Sequence, residues 1–166
     1  MRIGFVLIVA ALLGATGCGP SVAGDDKLAL AEIVPGAAET QAFGCTSLAL
    51  EPLDPFCPNG HFHSGIDLAA VEGTAVHSAS DGRARVLYDG AGAGLYVTVT
   101  IDDHSRVLYC HLSAVHVADG EDVVAGQVIG EVGTTGLSTG AHLHFEVDVD
   151  GRAVDPAAWL TQSPGS

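Results

Sequence analysis

The stretch GAHLHFEVDV, Gly140 to Val149, places His142 and His144 one residue apart. Upstream, HFHSGIDLAA sets His63 four residues before Asp67, and LYCHLS carries His111. Imidazole nitrogens and a carboxylate are the donor set of a zinc site, where a catalytic ion takes three protein ligands and leaves a fourth position to water. The chain offers one carboxylate, Asp67, beside His63, and neutral imidazoles in several other places. Spacing alone does not choose among the eight histidines, at 61, 63, 77, 104, 111, 116, 142 and 144. Taken singly, His61, His77, His104 and His116 read as surface residues.

The elements that must position these groups are strands. His142, His144 and Glu146 alternate with Leu143, Phe145 and Val147, a period of two that marks a half-buried β-strand. Side chains two apart on a strand share a face, so His142 and His144 stand side by side while the apolar set enters the core. Glu146 shares that face, either as a partner that fixes a histidine tautomer or as an exposed strand residue. The runs ARVLYD (84–89), LYVTVTI (95–101), RVLYCHL (106–112) and QVIGEVG (127–133) are further strands, separated by Gly- and Asp-rich turns. Gly65 and the IDLAA run suggest a loop that enters a strand, with Asp67 in that loop. No stretch after residue 43 sustains a helical period. DPAAWL near the end reads as a short turn or helix that caps the sheet with Trp159. The expected fold is therefore mostly antiparallel β.

The 166 residues hold one domain and its accessories. An apolar fraction of 48% is ample for a core. The formal charge of -14 repels nucleic acid and anionic membranes, and its even spread solubilises the surface. Arg2 followed by the apolar run Ile3 to Leu13 has the form of a signal peptide, too short to span a bilayer comfortably. ATGC, ending at Cys18, resembles a bacterial lipoprotein box, which gives a signal peptide over 1–18 and a lipidated Cys18. The alternative is ordinary cleavage after Ala23, in SVA. Either way the protein works outside the cytoplasm, in the cell envelope or secreted. Residues 19–43 are small, acidic and Gly/Pro/Ala-rich and look like a tether, with room for a helical turn in LALAEIV. The domain is expected over 44–160, with a tail at 161–166. Cys45 and Cys57 flank one loop, and an exported protein can oxidise them to a disulfide. Cys110 reads as a small buried residue.

HFHSGIDLAA, LYCHLS and STGAHLHFEV, in this order, resemble the lysostaphin-type (LytM-like) zinc endopeptidases of peptidoglycan. The linking segments EGTAVHSASDG, GEDVVAGQVIGEVGTTG and DGRAVDPAAWL are similar too, so the resemblance covers roughly 44–160. It implies a compact antiparallel β-sheet domain of sandwich or barrel type, acting as a monomer on peptidoglycan peptides. It implies that His63, Asp67 and His144 hold Zn2+, and that His111 and His142 are the catalytic histidines, holding and deprotonating the attacking water. Ala141 stands where the family usually has Pro, and Cys110 where Ala is common. Some members carry a Tyr shortly before H-x-x-x-D that helps stabilise the oxyanion; EPLDPFCPNGHF contains none, which leaves His111 or zinc for that role. A non-catalytic wall-binding module or activator of another wall hydrolase is the alternative of a different class, although such relatives usually lose ligands and none is missing here. A cupin-like enzyme also uses H-x-H on a strand but leaves H-x-x-x-D unexplained. The H-E-x-x-H motif of other metallopeptidases is absent.

Overall fold

The computed structural model describes residues 27–162. In chain order the elements are α1 (Leu30–Ile33), β1 (Ala38–Gln41), β2 (Gly44–Thr46), β3 (His61–His63), β4 (Gly65–Ala69), β5 (Ala75–His77) and β6 (Gly82–Asp89). They continue as β7 (Gly94–Thr100), β8 (Ser105–Leu112), β9 (Ala114–Val115), β10 (Asp122–Val123), β11 (Val128–Glu131), β12 (His142–Val149), β13 (Arg152–Val154) and α2 (Pro156–Thr161). The main sheet runs β1-β4-β12-β8-β7-β6-β10, with β13 pairing β12; every pairing is antiparallel. A three-stranded sheet, β5-β11-β9, and a two-stranded one, β2-β3, complete the fold.

Strand β12 lies between β4 and β8, and alternation gives it two different faces. Leu143, Phe145 and Val147 are fully buried. They meet Ile66 and Leu68 of β4, Val107 and Tyr109 of β8, and Val97 and Val99 of β7 in one core. Each such side chain contributes about 1.5–3 kcal/mol relative to exposure. The opposite face carries His142, His144 and Glu146, and register places Asp67 beside His144 and Cys110 on its other side. Cys110 is a free, buried thiol. Trp159 of α2 is buried, and the Asp155 carboxylate caps that helix by accepting from the Ala157 and Ala158 amides.

Three expectations are corrected. Residues 19–43 do not form a tether throughout. From Leu28 onward this segment belongs to the folded body: the Leu28 N–H donates to the Ala79 carbonyl at 2.8 Å, Ile33 and Val34 are buried in the core, and β1 pairs with β4. Ile33 and Val34 of LALAEIV enter that part of the core and Leu28 and Leu30 pack against it, despite their lack of a clear period. Asp67 also departs from expectation: it stands on β4, in ladder contact with β1 and β12, not in a loop. At the other end α2 extends through Thr161, one residue into the expected tail. The signal peptide over 1–18, Cys18, the cleavage after Ala23, residues 19–26 and residues 163–166 lie outside the described residues. Among the described residues no helix is long and apolar enough to cross a membrane.

Candidate metal centre

Four histidines and one carboxylate meet on the polar face of β4 and β12. His63 Nε2 lies 3.1 Å from Asp67 Oδ1 and 3.0 Å from His144 Nδ1, and His144 Nδ1 lies 3.0 Å from Asp67 Oδ1. His142 Nε2 is 3.7 Å from the same carboxylate oxygen. The His111 ring sits 4.8 Å from that of His142, centroid to centroid. His61, His77, His104 and His116 stay outside this cluster. The first is held by the Glu51 carbonyl, and the last two pair with Asp150 and Glu131.

The hydrogen-bond partners assign the tautomers. His63 donates its Nδ1–H to the Ala42 carbonyl at 2.9 Å, His111 to the Thr135 carbonyl at 2.8 Å and His142 to the Gly140 carbonyl at 2.8 Å. His144 is turned the other way, and its Nε2 faces Glu146 Oε2 at 3.4 Å. With one nitrogen of each ring donating outward, the other is left as an acceptor. His63 Nε2, His144 Nδ1 and Asp67 Oδ1 are then three acceptors within about 3 Å of one another. Such a set repels itself unless a cation sits among them. These three residues form the one group with metal-holding geometry among the described residues. Zinc bonds of 2.0–2.2 Å in a tetrahedron would space the ligands about 3.3–3.6 Å apart, within a few tenths of an ångström of these separations. The donor set therefore fits zinc.

The same demand for positive charge appears in the protonation equilibria. Without a metal, a proton takes its place: burial disfavours a charged His144, yet Nδ1–H and Nε2–H donated to Asp67 and Glu146 outweigh it and push the imidazole up to about 9. Burial would raise Asp67, but hydrogen bonds from His144 and His63 hold its carboxyl well below the usual range. Burial pushes His111 down, against the Thr135 carbonyl, so this ring is neutral near pH 7.

Local backbone features aim these side chains. The β7–β8 ladder slips between Leu95 and Val97, and His111, opposite that irregularity, has φ 63°. A β-bulge redirects a side chain that strict alternation would send elsewhere. By that alternation His111 would follow Tyr109 into the core; instead its ring faces His142. Gly94 (φ +67°) has no side chain for a reason: a Cβ there would come within 2.4 Å of Thr135, whose carbonyl holds His111. At Gly65 a Cβ would meet the Phe145 carbonyl at 2.5 Å and the His144 ring at 2.8 Å.

Four contributors escape the sequence reading. Ser64 Oγ donates to Glu146 Oε2 at 2.5 Å and fixes the carboxylate that faces His144. Ser138 Oγ lies 3.3 Å from His142 Nδ1. The Ala42 and Thr135 carbonyls are backbone acceptors, which no side-chain pattern reveals. Ser64 alone carries a signal, since it sits inside H-x-x-x-D. Glu146 is thus a hydrogen-bonded partner of His144 rather than an idle strand residue. The hydroxyl of Tyr109 is buried and accepts the Ala79 N–H, away from the cluster. Cys45 and Cys57 form a disulfide of 2.08 Å.

An antiparallel β domain with a His/Asp/His centre and two flanking histidines defines a metallopeptidase of lysostaphin type. The sequence pattern of Peptidase family M23 matches residues 61–156, more than half of the chain, and the protein belongs to that family. It is 38% identical over 112 residues to the DD-carboxypeptidase/endopeptidase Mpg of Neisseria meningitidis, a match covering 68% of this chain and 26% of the relative. It is 40% identical over 93 residues to the peptidoglycan DD-endopeptidase ShyB of Vibrio cholerae, covering 56% of this chain and 22% of that one. The chain thus spans about a quarter of the length of the curated relatives it matches. The catalytic domain of the antimicrobial peptidase lysostaphin from Staphylococcus simulans superposes with a TM-score of 0.63 at 31% identity, covering 76% of this chain and 93% of that domain.

Proposed function

We propose that the protein is an exported zinc metalloendopeptidase that hydrolyses peptide bonds in peptidoglycan cross-links or stem peptides. The observation that carries this reading is the convergence of five acceptors: His63 Nε2, Asp67 Oδ1 and His144 Nδ1 as the zinc ligands, with His111 Nε2 and His142 Nε2 beside them. When bound, zinc would supply Lewis acidity, polarising a carbonyl and lowering the pKa of a bound water to about 7. His142 Nε2 accepts a proton from the attacking water and returns it to the leaving amine. His111, neutral and held through Nδ1, offers a second acceptor at the same place and so shares the positioning of the water. Asp67 also faces His142 at 3.7 Å and stabilises its imidazolium while the proton is held. The fixed tautomers mean that no ring has to turn during the reaction.

Export follows from the signal peptide, and the envelope location from lipidation of Cys18 or release after Ala23. The test is digestion of purified peptidoglycans of several cross-link chemistries by the mature, zinc-loaded protein, with mass spectrometry of the released fragments. New amine and carboxyl termini at a peptide bond are expected, and are absent with the Asp67→Ala control. No peptide-bond cleavage in any wall type overturns the reading.

A further inference from the structure

The family match begins at residue 61, yet one hydrogen bond of the metal centre comes from before it. The Ala42 carbonyl accepts the His63 Nδ1–H, and that bond leaves Nε2 facing Asp67 and His144. Ala42 is pinned on both sides. Before it, β1 pairs with β4, the strand of Asp67, and Gln41 Nε2 donates to Glu51 Oε1 at 2.9 Å. After it, Phe43 packs edge-on against Phe62 at 5.1 Å, and Gly44 and Cys45 pair with His63 and Phe62. The Glu51 carbonyl in turn accepts the His61 Nδ1–H at 2.7 Å.

The β2–β3 ladder has only three residue pairs and forms a sheet of its own. Two-stranded ribbons of this size are marginal alone. The Cys45–Cys57 disulfide closes the chain directly behind it and removes the freedom of the intervening loop. We propose that the segment from Ala38 to Cys57 is a positioning clamp for His63, locked by this disulfide, so that metal affinity at the centre depends on the lock. The proposal rests on the zinc reading above. Partners that fix a metal-bound imidazole typically govern affinity by about 10–100-fold.

Cys45 is exposed and Cys57 is buried, so the bond is approached from the Cys45 side. A water-soluble phosphine breaks the bond cleanly. Phosphorus gives two electrons to the S–S bond and takes oxygen from water, and each sulfur takes one of the water's protons. A thiol would itself bind zinc and confuse the readout.

The experiment measures the zinc dissociation constant of the mature chain by competition with a chromophoric chelator. Oxidised protein is compared with phosphine-reduced protein, with the Cys45→Ala/Cys57→Ala double variant, and with Phe43→Ala, which loosens the clamp and keeps the disulfide. Affinity weaker by about 10–100-fold is expected in all three. The imidazole 15N resonances are expected to move more for His63, at Nδ1 above all, than for His144, a split that general destabilisation does not produce. Should the forms without the disulfide fail to fold, Phe43→Ala, which keeps the bond, decides by the same criterion. Unchanged affinity and an unchanged His63 resonance in the folded forms overturn the clamp and leave the zinc reading standing. An oxidised wild type that takes up no zinc overturns both.

Discussion

Two histidine–carboxylate pairs stand at opposite ends of β12. Near its start His144 meets Asp67 at 3.0 Å, with both side chains about 15% exposed. Beyond its end His104 meets Asp150 at 2.7 Å, with side chains 71% and 69% exposed. The shorter contact is the less consequential one. Solvent screens the exposed pair, and such pairs contribute little to stability. The largely buried pair is screened far less by water, and it faces a third acceptor, His63 Nε2, and a fourth, His142 Nε2. Chemistry therefore follows from acceptors that converge under burial, not from the closeness of one contact.

That contrast orders the effects of substitution. Asp67→Ala, which removes the charge common to the whole cluster, is expected to abolish both zinc uptake and cleavage; retained zinc by metal analysis would contradict it. His142→Ala is expected to keep zinc and lower kcat by about 10²–10⁴-fold, the usual contribution of a general base. Steady-state kinetics on a defined peptide, with metal content measured alongside, separates it from the first. Glu146→Ala frees His144 Nε2 and orphans Ser64, and zinc affinity is expected to fall by about 10–100-fold, read by chelator competition.

The exposed end should respond to pH alone. The Asp150 hydrogen bond raises the pKa of His104. A raised folded-state value means stabilisation that is full below the unfolded pKa of about 6.5 and lost as pH rises through the folded value. Asp150→Asn is therefore expected to lower the Tm slightly at acidic pH, leave it unchanged at alkaline pH, and spare cleavage throughout. A loss of activity in this variant would show that the two ends of β12 are coupled.

The sheet was legible where side chains alternate. The runs around Val86, Val97, Val107, Ile129 and Phe145 all fall on strands, since one apolar face forces a period of two. The cluster was legible as five residues, four His and one Asp, in a recognisable order. Other features carry no periodic signal. Strands β1, β3 and β5 have only three or four residues each, too few to show alternation. His111 reaches the cluster through a bulge, a backbone irregularity that its side chain does not announce. Ala42 acts through its carbonyl, an atom that every residue owns. The Leu28–Val34 segment looked like linker because its apolar residues lack a period, although Ile33 and Val34 are buried as fully as any residue in the core.

The fastening of Leu28 sets an upper bound on its distance from Cys18. Leu28 is already fastened to Ala79, and ten residue steps separate it from Cys18. At the limit of a fully extended chain, ten steps span roughly 33–36 Å. Were Cys18 lipidated, as proposed, Leu28 could stand no farther than this from the bilayer surface. That limit is fixed by the count of residues between the two positions and not by any group of the metal centre.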